Sequence, residues 1–304
     1  MDEFLKTKYR RKIFYLISFL LLLVIYLIRF YFLPFYFNSP VPSVKDILNS
    51  ILDNIMATIF VTVSIGTLIF WLTPPVMQQA KMEVIEPIRI KDELKEARNN
   101  TKIYWYKGGC GRFTRAVTIP ELAAEARASN QHKQIYIQIL DVTNKEICQN
   151  YSEYRRSLRS ANLEQPWSPE RVQLELYSTI VAAYCWKTQV PLLEIQVALT
   201  NSISLFRLDL SSKTIVITKE DKQEPGLKCD EGTFFYNSYL EELRLSLKQA
   251  RLLPSKIKGY TIDELNQTNV QKLLTDLGIF NNSLTDDQIT IIINLTRKSK
   301  NPYA

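Results

Sequence analysis

The chain has 304 residues, 46% of them hydrophobic and 23% charged, with a formal net charge of +7. That balance excludes a disordered or collagen-like chain and leaves room for one ordinary domain with added segments, or two small ones. One histidine, His132, and four scattered cysteines without a C-x-x-C pair argue against zinc, which needs about four closely held soft ligands; no metal and no cofactor are expected.

Cys110, Cys148, Cys185 and Cys229 read as reduced core residues of a cytosolic domain. The positive charge gathers at Lys6, Lys8, Arg10, Arg11 and Lys12, between Lys81 and Arg115, and at Arg297, Lys298 and Lys300. Such clusters suit contact with anionic lipid or nucleic acid, or form an ordinary solvated surface.

Residues 1–12 form a basic start, and 13–33 read as a first transmembrane helix. Sixteen residues from Ile13 to Ile28 hold only Ser18 as a polar interruption, and an aromatic run follows Arg29. About 20 apolar residues span a bilayer, provided that Arg29 snorkels to the interface. The run exceeds a signal-peptide core and no small-residue cleavage site follows, so an anchor is expected. Residues 34–52, rich in Pro and Ser, read as a short external loop around Pro40, and 53–73 as a second transmembrane helix closed by Trp71 and the Pro74-Pro75 break. Basic residues flank both spans on the same side, which puts both flanks in the cytoplasm.

Along the second span Asn54, Thr58, Thr62 and Gly66 recur every fourth residue and share a helix face, with Asp53 near the outer interface. Small and hydroxylated residues at this spacing let helices approach closely. The stripe reads either as packing within the hairpin or as an oligomeric interface or pore face.

Residues 74–100 read as a cytoplasmic connector with a charged helix around Asp92 to Arg98, and 101–254 as an α/β domain. TKIYWY is a strand, GGCG a turn, and a helix runs from about Ile119 to Arg127. QIYIQIL (Gln134 to Leu140) is a buried strand, and Asn144 to Arg159 a helix. Ser168-Pro169 starts a long helix, LLEIQVALT is a strand, SISLFRLDL and KTIVITKE form a hairpin, and Tyr239 to Leu253 is helical. Residues 255–304 read as a small helical C-terminal appendage, with Thr261 capping one helix and a capping box at Thr285 to Gln288.

Gly108, Gly109 and Gly111, followed by Arg112 and Arg115, are the first candidate site. A strand, a glycine turn and a helix start with nearby cations describe many phosphate loops. The turn lacks both the Walker lysine and the G-x-G-x-x-G spacing, so it is either a tight structural turn or an anion site built from its amides and the two arginines. His132 lies in a polar turn, no G-x-S-x-G elbow exists, and the carboxylates read as solvated helix faces. No catalytic residue is expected.

The order of strands and helices, with QILD at a strand end, YxxYRR in the next helix and LFRLDLSSKTIVIT as a late hairpin, resembles the phospholipase-D-like fold. Active members carry H-x-K on that late hairpin; here the slot reads Arg207-Leu208-Asp209. The resemblance thus implies a catalytically degenerate domain in which Arg207 and Asp209 pair or hold a ligand. With the two spans, the YSEYRRSL helix and the NPYA tail, the chain also resembles the two-transmembrane effector proteins of bacterial anti-phage retron systems. That resemblance implies an oligomeric inner-membrane toxin acting in abortive infection. It would be silenced by a reverse transcriptase and its RNA–DNA hybrid, and would damage or depolarise the membrane when released. The alternatives are a membrane-anchored nucleotide or nucleic-acid sensor and a membrane-tethered phosphodiesterase.

Overall fold

The computed structural model describes residues 8–36, 42–72, 80–163, 165–257, 259–299 and 301–302. It divides into two units, Met1–Gln78 and Gln79–Ala304. The basic start through residue 7, the loop around Pro40, the Pro74-Pro75 break and the last two residues of the NPYA tail lie outside the described residues.

The first unit pairs two apolar helices. Helix α1 (Lys8–Leu27) continues through a π turn at Ile28–Phe32 into Leu33–Tyr36, and α2 covers Pro42–Leu72. Phe14–Phe32 and Asp46–Leu68, with mean hydropathies of 2.2 and 1.7, are long and apolar enough to cross a membrane. The expected loop 34–52 is therefore too long. Helix starts at Pro42, whose missing N–H costs nothing in a first turn, and Ile47, Leu48, Ile51 and Leu52 carry the apolar spacing onward.

On α1 and its continuation the least exposed residues are Phe14, Ser18, Leu22, Ile25, Arg29 and Leu33; on α2 they include Leu52, Asp53, Met56, Ile59, Val63 and Gly66. Their three- and four-residue spacing marks one helix face on each. Arg29 Nη1 donates to Asp53 Oδ1 across the pair, and the Tyr15 and Thr67 hydroxyls lie 3.0 Å apart.

The second unit is a mixed α/β domain. Its strands are β1 (Glu83–Ile85), β2 (Ile103–Lys107), β3 (Lys133–Leu140), β4 (Leu193–Thr200), β5 (Phe206–Ser211), β6 (Thr214–Lys219), β7 (Gly226–Asp230) and β8 (Arg251–Leu252). They form one sheet in the order β1-β7-β6-β5-β2-β3-β4-β8. Strands β2, β3 and β4 are parallel, and every other pairing is antiparallel.

Helices cover both faces of this sheet. On one face, Tyr104, Tyr106, Ile135, Ile137 and Ile139 meet α4 (Ile119–Ser129), α5 (Lys145–Ser157) and α6 (Pro169–Gln189). On the same side α3 (Ile90–Arg98) buries Ile90, Leu94 and Ala97 against Phe113 and Val216. On the other face, Trp105, Leu208, Leu210, Ile215 and Ile217 meet Tyr236 and Leu243 of α7 (Phe234–Gln249). The alternation of Ile215 and Ile217 against Val216 is the period-two pattern of a strand buried on both sides.

Several expected boundaries change. Residues 74–100 are more than a connector, because β1 pairs with β7 and α3 packs into the core. Residues 255–304 are not an appendage either. Helices α8 (Gln267–Asp276) and α9 (Asp286–Arg297) place Val270, Leu273, Leu274, Ile289, Ile292 and Ile293 in the same core as α6. Each such side chain contributes about 1.5–3 kcal/mol by burial, more than a loosely held helix pair requires. Asn266, not Thr261, caps α8, by accepting from the Asn269 amide. Helix α7 starts at its Thr233 cap, earlier than Tyr239, and ends before the short edge strand β8. Ser168 and Thr285 cap as their sequence context predicts, the latter in a full capping box with Gln288.

Candidate functional site

Sheet register brings the candidate residues together. Gly108 follows β2 at the C-terminal edge of the parallel strands. Strand β5 runs antiparallel to β2, with Lys107 opposite Leu208, so Arg207, the second residue of β5, lies at that same edge. Strand β6 runs back along β5, with Phe206 opposite Lys219, so Glu220 leaves β6 there too. Tyr151 and Arg155, one helical turn apart on α5, share a face and add a hydroxyl and a guanidinium.

Tyr151, Arg155, Arg207 and Glu220 line a cavity of about 30 Å³ together with Tyr106, Cys110, Gly111, Arg112, Phe113, Trp167, Lys222 and Pro302. The volume suits one or two waters. His132 sits just before β3, at the opposite edge of the parallel strands, roughly 25 Å away at about 3.3 Å per residue. It is exposed and takes no part in this constellation.

The glycine turn is tightly committed. The Gly108 amide donates to Gln138 O at 3.1 Å and Gly109 O accepts from the Leu140 amide at 3.3 Å, which ties the turn to β3. Gly111 has φ +69°, and the Tyr151 ring lies where a Cβ on Gly109 would stand. A helix follows at once. Its first turns include a π segment, Thr114–Thr118, that runs directly into α4, so the helix starts near Arg112 instead of Ile119.

One amide of the turn does meet an anion, and that anion belongs to the chain. The Gly109 amide donates to Glu220 Oε1 at 3.3 Å, and Arg155 Nη1 donates to Glu220 Oε2 at 2.8 Å. Burial works to raise the pKa of this carboxyl. Arg155, Arg207, the Gly109 amide and the Tyr151 hydroxyl outweigh it and hold the pKa below the ordinary value. Trp167 forms the wall, 2% exposed. The guanidiniums of Arg171, Arg155 and Arg112 lie 4.3, 4.5 and 5.4 Å from its ring centre.

Arg115 does not face the cavity. It is buried, donating to Glu175 Oε2 at 2.5 Å, Glu175 O at 2.9 Å, Thr179 Oγ1 at 3.1 Å and Ser299 Oγ at 3.1 Å. It therefore joins the glycine turn's helix to α6 and to the C-terminal segment, a structural role in place of the anion contact expected for it. Arg112 reaches the same carboxylate through Nε at 3.5 Å while lining the cavity.

Arg207 Nε donates to Asp209 Oδ2 at 3.0 Å, and the Tyr104 hydroxyl donates to Oδ1 at 2.9 Å. Burial raises the Asp209 pKa, against the pull of Arg207 and Tyr104. The Arg-x-Asp of β5 is thus a buried ion pair. Glu175, Glu220 and Asp209 also correct the reading of all carboxylates as solvated faces. Glu175 carried a legible signal, an acid inside the apolar run VQLELYSTIV, whereas Glu220 at a strand end carried none.

The four cysteines are free and buried. Burial, then Glu175 and Glu220, push the Cys110 thiol up, and burial pushes Cys148 and Cys185 up to about 12. Protonated thiols of this kind are poor nucleophiles. Among the described residues no group of three or more His, Cys, Asp or Glu is placed to hold a metal.

Asn54, Thr58 and Thr62 of the stripe lie on the exposed face of α2, whereas Gly66 falls on its less exposed face. Gly66 has nothing within 4 Å of where a Cβ would stand. Thr58 Oγ1 donates to Asn54 O and Thr62 Oγ1 to Thr58 O, each at 2.7 Å. Their hydroxyls are satisfied within the helix.

No family model matches the chain, and no curated protein matches it. Among solved structures it is similar to TrmBL2, described as an archaeal chromatin protein showing a novel mode of DNA binding. The identity is 8% and the TM-score 0.32, over 68% of this chain and 67% of that one.

Proposed function

We propose that the chain is a non-enzymatic membrane effector of an anti-phage, abortive-infection system of the retron type. In this reading α1 and α2 cross the bacterial inner membrane as a hairpin. The N-terminus and the main domain lie in the cytoplasm, the domain being a catalytically degenerate relative of the phospholipase-D-like fold. The lipid bilayer is the target, and a reverse transcriptase with its RNA–DNA hybrid is the inhibitory partner.

The observation that carries the reading is the outward stripe. An apolar helix with Asn54, Thr58 and Thr62 exposed on the face away from its partner has a surface suited to self-association in lipid. The buried Arg207–Asp209 pair in the slot where H-x-K would stand supports a domain that receives a signal instead of cleaving a phosphodiester.

Induced expression in bacteria with a potential-sensitive dye tests this. The expected result is rapid depolarisation by the wild-type chain and little by Thr58→Leu/Thr62→Leu at equal membrane abundance. Full depolarisation by that double variant would remove the stripe from the mechanism, and an unchanged potential in wild-type cells would remove the effector reading. A second reading, a membrane-anchored nucleotide sensor, is favoured by one feature: the arginine-lined cavity beside the glycine turn.

A further inference from the structure

The connection from β4 to β5, Asn201 to Leu205, passes over the sheet edge at which β2 ends and β6 leaves. Serines alternate there with large apolar residues, and β5 itself begins on another. Ile203, Leu205 and Phe206 are 36, 50 and 42% exposed. The loop is held in this form. Asn144 Nδ2 donates to Asn201 Oδ1 at 3.1 Å, and Ser204 Oγ donates to Phe206 O at 2.6 Å.

Register adds a fourth apolar residue to this edge. Strand β1 runs against β7, with Ile85 opposite Gly226, so the turn Pro87–Arg89 leaves β1 here, three strands from β5 and about 14 Å away. Its Ile88 is 83% exposed. Apolar residues scattered singly over a surface need no explanation, but four along one sheet edge do.

Three lysines accompany the loop. Lys219 lies opposite Phe206 in the β5–β6 ladder, Lys222 follows in the turn after β6, and Lys145 adjoins Asn144, which holds Asn201. Among the described residues none of the three has an ion-pair or hydrogen-bond partner. The exposed acids Glu146, beside Lys145, and Glu86, at the β1 end, leave the lysines in excess.

We propose that this edge is a lipid-docking surface: Ile203, Leu205 and Phe206 enter the headgroup region of an anionic bilayer while Lys145, Lys219 and Lys222 lie against its phosphates. This rests on the reading of the chain as held in a membrane, and gives the α/β domain a lipid contact of its own.

The chemistry fits a lipid surface better than a protein. Side chains that stand out singly, with serines between them, offer no continuous apolar core for a partner to cover. Acyl chains and headgroups close around each one separately. Lysine stems lie along apolar surface with the ammonium in the headgroup layer, and each lysine near an anionic leaflet adds roughly fivefold to binding. Insertion and charge therefore act together on one surface. Docking of this kind makes the domain's position follow the charge of the leaflet, and loss of anionic lipid releases it.

The full-length chain in lipid nanodiscs at physiological salt tests this. Ser202, exposed in the same loop, is changed to cysteine and labelled with the fluorophore NBD; the four native cysteines are buried and stay unlabelled. Quenching by doxyl-labelled lipid should be about threefold greater in discs containing phosphatidylglycerol than in pure phosphatidylcholine, and high salt should erase the difference. Lys145→Gln/Lys219→Gln/Lys222→Gln should erase it too, and Ile203→Ser/Leu205→Ser should cut quenching severalfold in the anionic discs. All five positions are exposed or half-exposed, so these variants keep the core.

Equal quenching in the two kinds of disc, or undiminished quenching in either variant, would overturn the proposal. A blue-shifted probe that lipid does not quench would mark a protein on the loop, a second copy included, and would overturn it as well. A chain that fails to enter the discs ends the membrane reading instead. The same labelled chain floated with preformed phosphatidylglycerol vesicles then reads the loop alone: quenching there upholds the docking surface, and its absence overturns it.

Discussion

The Tyr151 ring fills the space that a Cβ on Gly109 would take, closer than any real Cβ contact allows. Glycine at 109 is therefore a packing requirement set by a tyrosine 42 positions later in the chain. Tyr151 is 1% exposed and stands edge-on to Trp167 at 6.2 Å between ring centres, so it has nowhere to retreat. Gly109→Ala should cost about 1–3 kcal/mol, the usual penalty of overpacking, measured by denaturant unfolding of the detergent-solubilised chain. Tyr151→Phe should rescue it only in part, because ring carbons as well as the hydroxyl crowd that position. Complete rescue would mean that the hydroxyl alone sets the requirement.

Glu175 anchors two arginines of very different standing. Arg115 is 3% exposed in its side chain and bonded at 2.5 Å, whereas Arg112 is 21% exposed and 3.5 Å away. Arg115→Ala should destabilise by about 3–5 kcal/mol, since it leaves a buried carboxylate uncompensated. Arg112→Ala should cost under about 1 kcal/mol, as a partly solvated pair does. Thermal unfolding of both variants against wild type decides this; equal losses would refute the ranking.

Much of this architecture was legible because local rules agreed with one another. The caps at Ser168 and Thr285, the strands over Gln134 to Leu140 and LLEIQVALT, and the two apolar helices follow from spacing and turn chemistry alone. The misses have a common cause. Strand β1, strand β7 and the packing of α8 and α9 on α6 depend on partners far away in sequence, and GLKCD or EVI is too short to announce itself. The site shows the same division. The glycines and Arg207 stand out as residues, but the anion that meets the turn is Glu220, 111 positions from Gly109. Only the register of β2, β5 and β6 brings them to one edge.

Arg29 and Asp53 join the two apolar helices by the one ion pair between them among the described residues. The sequence suggested that each would reach separately for the interface. A charge in an apolar setting is costly when alone and much less so when paired. Asp53→Asn should lower the thermal stability of the hairpin in detergent and Arg29→Leu should do likewise, while Arg29→Leu/Asp53→Leu should lie closer to wild type than either. A double-mutant cycle with coupling near zero would show that the pair contributes nothing to helix association.

The Glu220 carboxyl gives stability a definite dependence on pH. Its folded pKa lies below the ordinary value of 4.5 because Arg155, Arg207, the Gly109 amide and the Tyr151 hydroxyl outweigh the effect of burial. A depressed carboxylate contributes stability that is fully present above the unfolded pKa and is lost as pH falls through the folded one. Asp209 works the other way: burial raises its folded pKa above 3.8, so its ionisation opposes folding as pH rises. The net acid response of the wild type therefore mixes two signs, and a comparison of variants separates them. Measured by denaturant unfolding, the stability difference between wild type and Glu220→Gln should be constant above about pH 5.5 and shrink steadily below about pH 4.5. A difference that stays constant down to pH 3 would mean that Glu220 is held by its packing and not by the cations around it.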